Sequence, residues 1–107
     1  MSRLVILSDR AHADLEINCE WWAEHRSAEQ AERWYNAFAL EIRSLATTAE
    51  QHSKASESDR FPFELRQLNF GLGSHPTHRA VYIIRPDMIL VLRIQHLSQD
   101  ALTPDDL

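Results

Sequence analysis

Two side chains in the C-terminal half have the chemistry to handle a phosphate. Arg79 carries a guanidinium that can hold two anionic oxygens at once. His96 carries an imidazole, a side chain that can give or take a proton. Brought to one surface, the pair could stabilise a charged phosphorane and move a proton across it. Either could instead be structural, Arg79 bonded to a helix carboxylate and His96 to backbone at a strand end. Arg66 and Arg93 are further cations, expected as solvated sheet-face charges or as contacts for a partner. His75-Pro76-Thr77-His78 offers two imidazoles, yet zinc needs three or four ligands and Cys19 has no partner cysteine. No metal and no cofactor are therefore expected. Gly71-Leu72-Gly73 opens no helix and is read as a turn, not a phosphate cradle.

These residues depend on the elements that carry them. Thr77–Arg85 and Met88–His96 are apolar, β-branched runs separated by Pro86-Asp87, and they predict a β-hairpin. If those two residues alone form the turn, Arg85 faces Met88 and Arg79 faces Ile94. Arg79 and His96 then share one sheet face, and Arg93 lies on the other; a slip of one residue reverses this. Arg3–Leu7 and Glu64–Phe70 predict two more strands.

Ser8 and Asp9 offer caps to a helix whose positions Ala11, Leu15, Cys19 and Trp22 recur at helical spacing. Ser27 and Gln30 form a capping-box signature before the stripe Ala31, Trp34, Phe38, Ile42 and Leu45, which runs to about Ala49. The short break around His25–Ala28 predicts an antiparallel αα-hairpin. Trp22, Trp34, Phe38 and Cys19 are expected in the core, whereas Trp21 stands one step off the stripe and is a candidate protein contact. The stretch after Ala49 reads as a long polar loop, and residues 98–107 as a polar C-terminal tail.

The order is β-α-α-β-β-β, an α+β fold over residues 1–107. An αα-hairpin packs on one face of a mostly antiparallel four-stranded sheet, and the other face stays open for a partner. Composition agrees, with 44% hydrophobic and 25% charged residues. One cysteine excludes an intrachain disulfide. No apolar run approaches the ~18–20 residues that span a bilayer, and no signal-peptide pattern stands at the N-terminus, so a cytoplasmic location and no membrane partner are expected. The net charge of −5 opposes broad nucleic-acid binding. Residues 60–102 alone carry five arginines against three acids, so only that half could face an anion.

Three segments carry a family resemblance. They are Ala13-Asp14-Leu15-Glu16 with Trp21-Trp22-Ala23-Glu24; Ala31-Glu32-Arg33-Trp34 leading to Ile42-Arg43-Ser44-Leu45; and the sheet half. The sheet half has Glu64-Leu65-Arg66, His78-Arg79-Ala80-Val81-Tyr82, then Val91-Leu92-Arg93-Ile94-Gln95-His96 with Gln99-Asp100-Ala101-Leu102. In this order they resemble the RelE/ParE toxins of bacterial type II toxin–antitoxin systems, and the hairpin's end looks closer to the ParE side. The resemblance implies a toxin neutralised by an antitoxin in a hetero-oligomer. ParE-like members poison DNA gyrase by contact, and RelE-like members cut ribosome-bound mRNA without a metal. For the nuclease alternative it implies Arg79 and His96 as catalytic. The strand that bears lysines in RelE-like members here reads Gln67-Leu68-Asn69, and the chain's one lysine is Lys54. Inhibition of gyrase is therefore preferred, mRNA cleavage is the alternative, and a non-toxic partner-binding member is the third reading. Arg66, Arg93 and Trp21 are the candidate partner contacts.

Overall fold

The computed structural model describes residues 2–107. Strand β1 (Leu4–Leu7) leads into helices α1 (Asp9–His25) and α2 (Ala28–Thr48), then strands β2 (Arg66–Phe70), β3 (His78–Ile84) and β4 (Met88–His96). Both helices start where the sequence offers a hydroxyl. Ser8 Oγ accepts the Ala11 N–H at 3.1 Å and Ser27 Oγ accepts that of Gln30 at 3.0 Å. The stripe of α2 is buried from Ala31 to Leu45. Because its apolar residues step with the helical period, α2 can lie flat on the sheet.

The sheet order is β1-β4-β3-β2, with β1 parallel to β4 and the other pairs antiparallel. β1 accompanies β4 only as far as Val91. Beyond it, the unpaired edge of β4 is satisfied from the start of α1. Ser8 Oγ donates to Leu92 O at 2.9 Å, and the Asp14 carboxylate accepts the Ile94 N–H at 2.9 Å. An exposed ladder edge is thereby closed within the chain.

The tight turn forms as expected, with Arg85 N–H donating to Met88 O at 2.8 Å. The register then departs from expectation. Val81 pairs with Arg93 but Tyr82 with Val91, so Leu92 is an extra residue in a β-bulge. Past the bulge Arg79 stands opposite Gln95, and His78 opposite His96. The common face expected for Arg79 and His96 is therefore corrected, because one inserted residue moves them to opposite faces.

One core cluster lies between helices and sheet, built from residues such as Trp34, Phe38, Leu45, Phe70, Tyr82 and Ile94. The Tyr82 hydroxyl donates to Ala49 O at 2.6 Å and so binds the end of α2 to the sheet. A second cluster covers the other face and corrects the expected open surface. Ala55, Phe61 and Leu65 from the loop and Leu102 from the tail pack on Val81 and Ile83. Leu102 is 1% exposed, so the segment read as a polar tail carries an anchor in that cluster.

The turn between β2 and β3 depends on one glycine. A Cβ at Gly71 would meet His75 O at 2.2 Å, whereas one at Gly73 would meet nothing within 4 Å. Gly71→Ala is expected to cost about 1–3 kcal/mol through this backbone clash, while Gly73→Ala changes stability by less than about 0.5 kcal/mol. Paired urea melts check both. Equal effects would contradict the close approach at Gly71.

Candidate functional site

Two sites stand on opposite faces of the sheet. On the loop-covered face, Arg79 projects from β3 into a cage of acceptors. Its Nη1 and Nη2 donate to the two carboxylate oxygens of Glu57 at 2.9 and 2.6 Å. Nε and Nη2 also donate to Gln95 Oε1 at 3.1 and 2.7 Å, and Nη1 donates to Gln67 Oε1 at 2.8 Å. These contacts use the five N–H groups a guanidinium possesses. The side chains of Arg79 and Glu57 are 9% and 1% exposed. Glu57 also accepts the Leu102 N–H at 2.8 Å, so the cage ties loop, sheet and tail together. The hydrogen bonds from Arg79 hold the Glu57 carboxyl down to about 2, against the opposing effect of burial.

On the helix-bearing side, the last turns of α1 and the ends of β3 and β4 enclose a cleft of about 460 Å³. Trp21, Trp22, His78 and His96 line it, with Arg26 and Ser98. Its rings meet edge to face: Trp21 and Trp22 at 5.7 Å between centroids, His78 and His96 at 5.0 Å. Trp21 also stacks on His25 at 4.5 Å. His78 is buried, its Nε2 bonded to Asn18 Oδ1 at 3.1 Å and its Nδ1 to the Thr77 hydroxyl at 2.8 Å. These partners assign the neutral ring with its proton on Nε2. Burial, and next the neighbouring His96, push its pKa down to about 4. His96 is exposed, and its Nδ1 accepts the Ser98 N–H at 3.1 Å, which assigns its proton to Nε2 as well.

The structure therefore separates the catalytic candidates. Arg79 is buried and saturated on one face; His96 is exposed beside a different cavity on the other. Of the partner-contact candidates, Arg66 pairs with Glu64 at 2.7 Å and donates to His52 O at 2.5 Å, tying the loop to β2. Arg93 is bidentate to Asp14 at 2.7 and 3.0 Å and reaches Asp106 O at 2.9 Å. Trp21 is 47% exposed. Two ion-pair partners of these arginines escaped the sequence reading. Glu57 lies in a loop without periodicity and carried no signal. Asp14 stood on the polar side of a helix, where a solvated acid is the ordinary reading.

Comparison with known proteins agrees with this fold. The sequence model described as the ParE toxin of type II toxin–antitoxin system, parDE, matches residues 5–101. A solved chain described as the chromosomal ParDE TA system from P. aeruginosa superposes with a TM-score of 0.72 at 18% identity, covering 91% of this chain and 98% of that one. A search of curated proteins finds no match. With its family model spanning nearly every element from β1 to the end of β4, the chain belongs to the ParE toxin family of type II toxin–antitoxin systems.

Proposed function

We propose that this toxin acts through protein contact on DNA gyrase and is neutralised by an antitoxin bound in a hetero-oligomer. The observation that supports contact over cleavage is the closed hydrogen-bond set of Arg79. A phosphate clamp needs donors aimed at empty space where charge will develop, and here Glu57, Gln67 and Gln95 already occupy them. His96 lies on the other side of the sheet, so it is not placed to pass a proton beside that arginine. Among the described residues no helix is long and apolar enough to cross a membrane, and we place the activity in the cytoplasm, where gyrase works.

Arg66 and Arg93 are occupied internally, which leaves Trp21 as the one sequence-predicted contact exposed to meet a partner. The test is direct. Purified toxin is expected to block supercoiling of relaxed plasmid by gyrase, and its expression to induce a DNA damage response without new mRNA 5′ ends. New mRNA 5′ ends, with gyrase unaffected, would overturn the proposal in favour of mRNA cleavage.

A further inference from the structure

Strand β1 forms one margin of the sheet, and part of its outer side is unpaired among the described residues. The Ser8 N–H donates inward to Val91 O, so in a parallel ladder the even positions of β1 face β4 and the odd ones face out. Arg3 agrees, since its N–H donates away from β4, to Ala46 O near the end of α2. Val5 and Leu7 are the remaining odd positions, and their outward N–H and C=O groups find no partner among the described residues. Natural edges are blunted by a charge, a proline or a bulge, and Leu4-Val5-Ile6-Leu7 has none of these. Val5 and Leu7 pack toward the helices, so Leu4 and Ile6 project from the other face, where they are 65% and 38% exposed.

We propose that this edge receives a second copy of the chain, with the two β1 strands antiparallel about a twofold axis at Ile6. The register follows from the groups that are free. Arg3 is already bonded to α2, and Asp9 already belongs to α1. Only the pairing of Val5 with Leu7 of the other copy, and the reverse, gives every free outward group a partner. Ile6 then faces its own counterpart. The helix beside the edge obeys the same axis. From Arg3 to Ile6 is about 10 Å at ~3.3 Å per strand residue, and about 10 Å back along α2 from Ala46 is about seven residues, at Ala39. Ala39 is small enough for two helices to approach, and Tyr35 and Arg43 stand one turn to either side of it. About that axis the exposed Tyr35 ring of one copy meets the Arg43 guanidinium of the other. Arg43 is exposed and has no ion-pair partner among the described residues. Tyr35, Ala39 and Arg43 line a groove of about 310 Å³ together with Val5 and Leu7, so helix and strand offer one continuous surface. Each element is self-complementary about the same level. That favours a copy of this chain over an unrelated peptide, which would need to match the strand alone.

The test uses purified toxin without antitoxin. Sedimentation at increasing concentration is expected to show a reversible dimer. Ile6→Lys should raise its dissociation constant at least about tenfold, because two ammonium groups then oppose each other across the axis. Ile6 is exposed, and thermal melts should show the variant folded. Cross-linking reads the register. Opposed residues at a non-hydrogen-bonded antiparallel site lie about 4.5 Å apart between Cα atoms, within disulfide reach. Ile6→Cys should therefore join two chains under oxidised glutathione. Leu4→Cys, which faces Ser8 of the other copy, and wild type with Cys19 alone should stay largely unjoined.

A monomer at every concentration overturns the proposal, and if Ile6→Lys then weakens antitoxin binding, the edge belongs to the antitoxin instead. A dimer that Ile6→Lys leaves intact, or one that cross-links through Leu4→Cys and not through Ile6→Cys, overturns this interface. None of these outcomes touches the toxin reading, which the gyrase assay decides.

Discussion

Glu57→Ala is expected to destabilise the protein by about 3–5 kcal/mol, the cost of leaving the partner of a buried ion pair uncompensated. The Arg79 guanidinium would stay inside the cage, with Gln67 and Gln95 but no counter-charge. Leu102 would lose the acceptor of its N–H, loosening the tail from the second cluster. At roughly 4 °C per kcal/mol for a domain of this size, the melting temperature should fall by more than ten degrees. Arg79→Met should cost a similar amount, since it leaves the Glu57 carboxylate buried beside apolar side chains. The double variant should lose clearly less than the two singles combined, because neither charge is then stranded. Urea melts of all four proteins measure this coupling. Single losses below about 1 kcal/mol would mean that loop and tail are held by apolar contacts alone. The same result bears on mechanism. An Arg79 variant that loses toxicity only in proportion to its loss of folded protein is structural, whereas a folded but inactive one restores a chemical role.

Secondary structure was legible wherever packing imposes a period. α2 shows its stripe because each turn must present an apolar side chain to the same sheet, and Ser27 marks its start. The Pro86-Asp87 turn was legible because proline and aspartate each favour it locally. The bulge at Leu92 was not, since an extra leucine in an apolar strand has no compositional mark, yet it decided which face Arg79 occupies. The covered face was missed for a related reason. Ala55, Phe61, Leu65 and Leu102 are irregularly spaced among polar residues, and only the fold brings them over Val81 and Ile83. At the site, an arginine advertises its chemistry by type. Its partner Glu57 lies 22 residues upstream, and nothing local distinguishes it from the solvated acids around it. The long-range pairs that set the character of each arginine are thus tertiary facts.

Stability is expected to fall as pH drops below 6.5, and His78 supplies the largest effect in that window. Its ring is neutral in the fold, with a pKa of about 4 against an ordinary 6.5, chiefly because burial penalises the charged form. Between these values the unfolded chain takes up a proton that the folded one refuses. Acidification therefore favours unfolding, by up to about 1.4 kcal/mol per pH unit and about 3 kcal/mol across the whole interval. The packing explains the refusal, since His78 is buried. The added charge would sit in a buried site with the His96 ring at 5.0 Å. Glu57 acts in the same direction but at lower pH. Its folded pKa of about 2 means that its contribution is complete above 4.5 and drains away as pH falls toward 2. Chemical melts at half-unit steps from pH 7.5 to 4 separate the two. His78→Gln, which can still donate to Asn18 but cannot titrate, should be less stable at pH 7.5 yet nearly flat down to pH 5. A variant as steep as wild type over that range would place the proton on another group and remove His78 as the source of acid sensitivity.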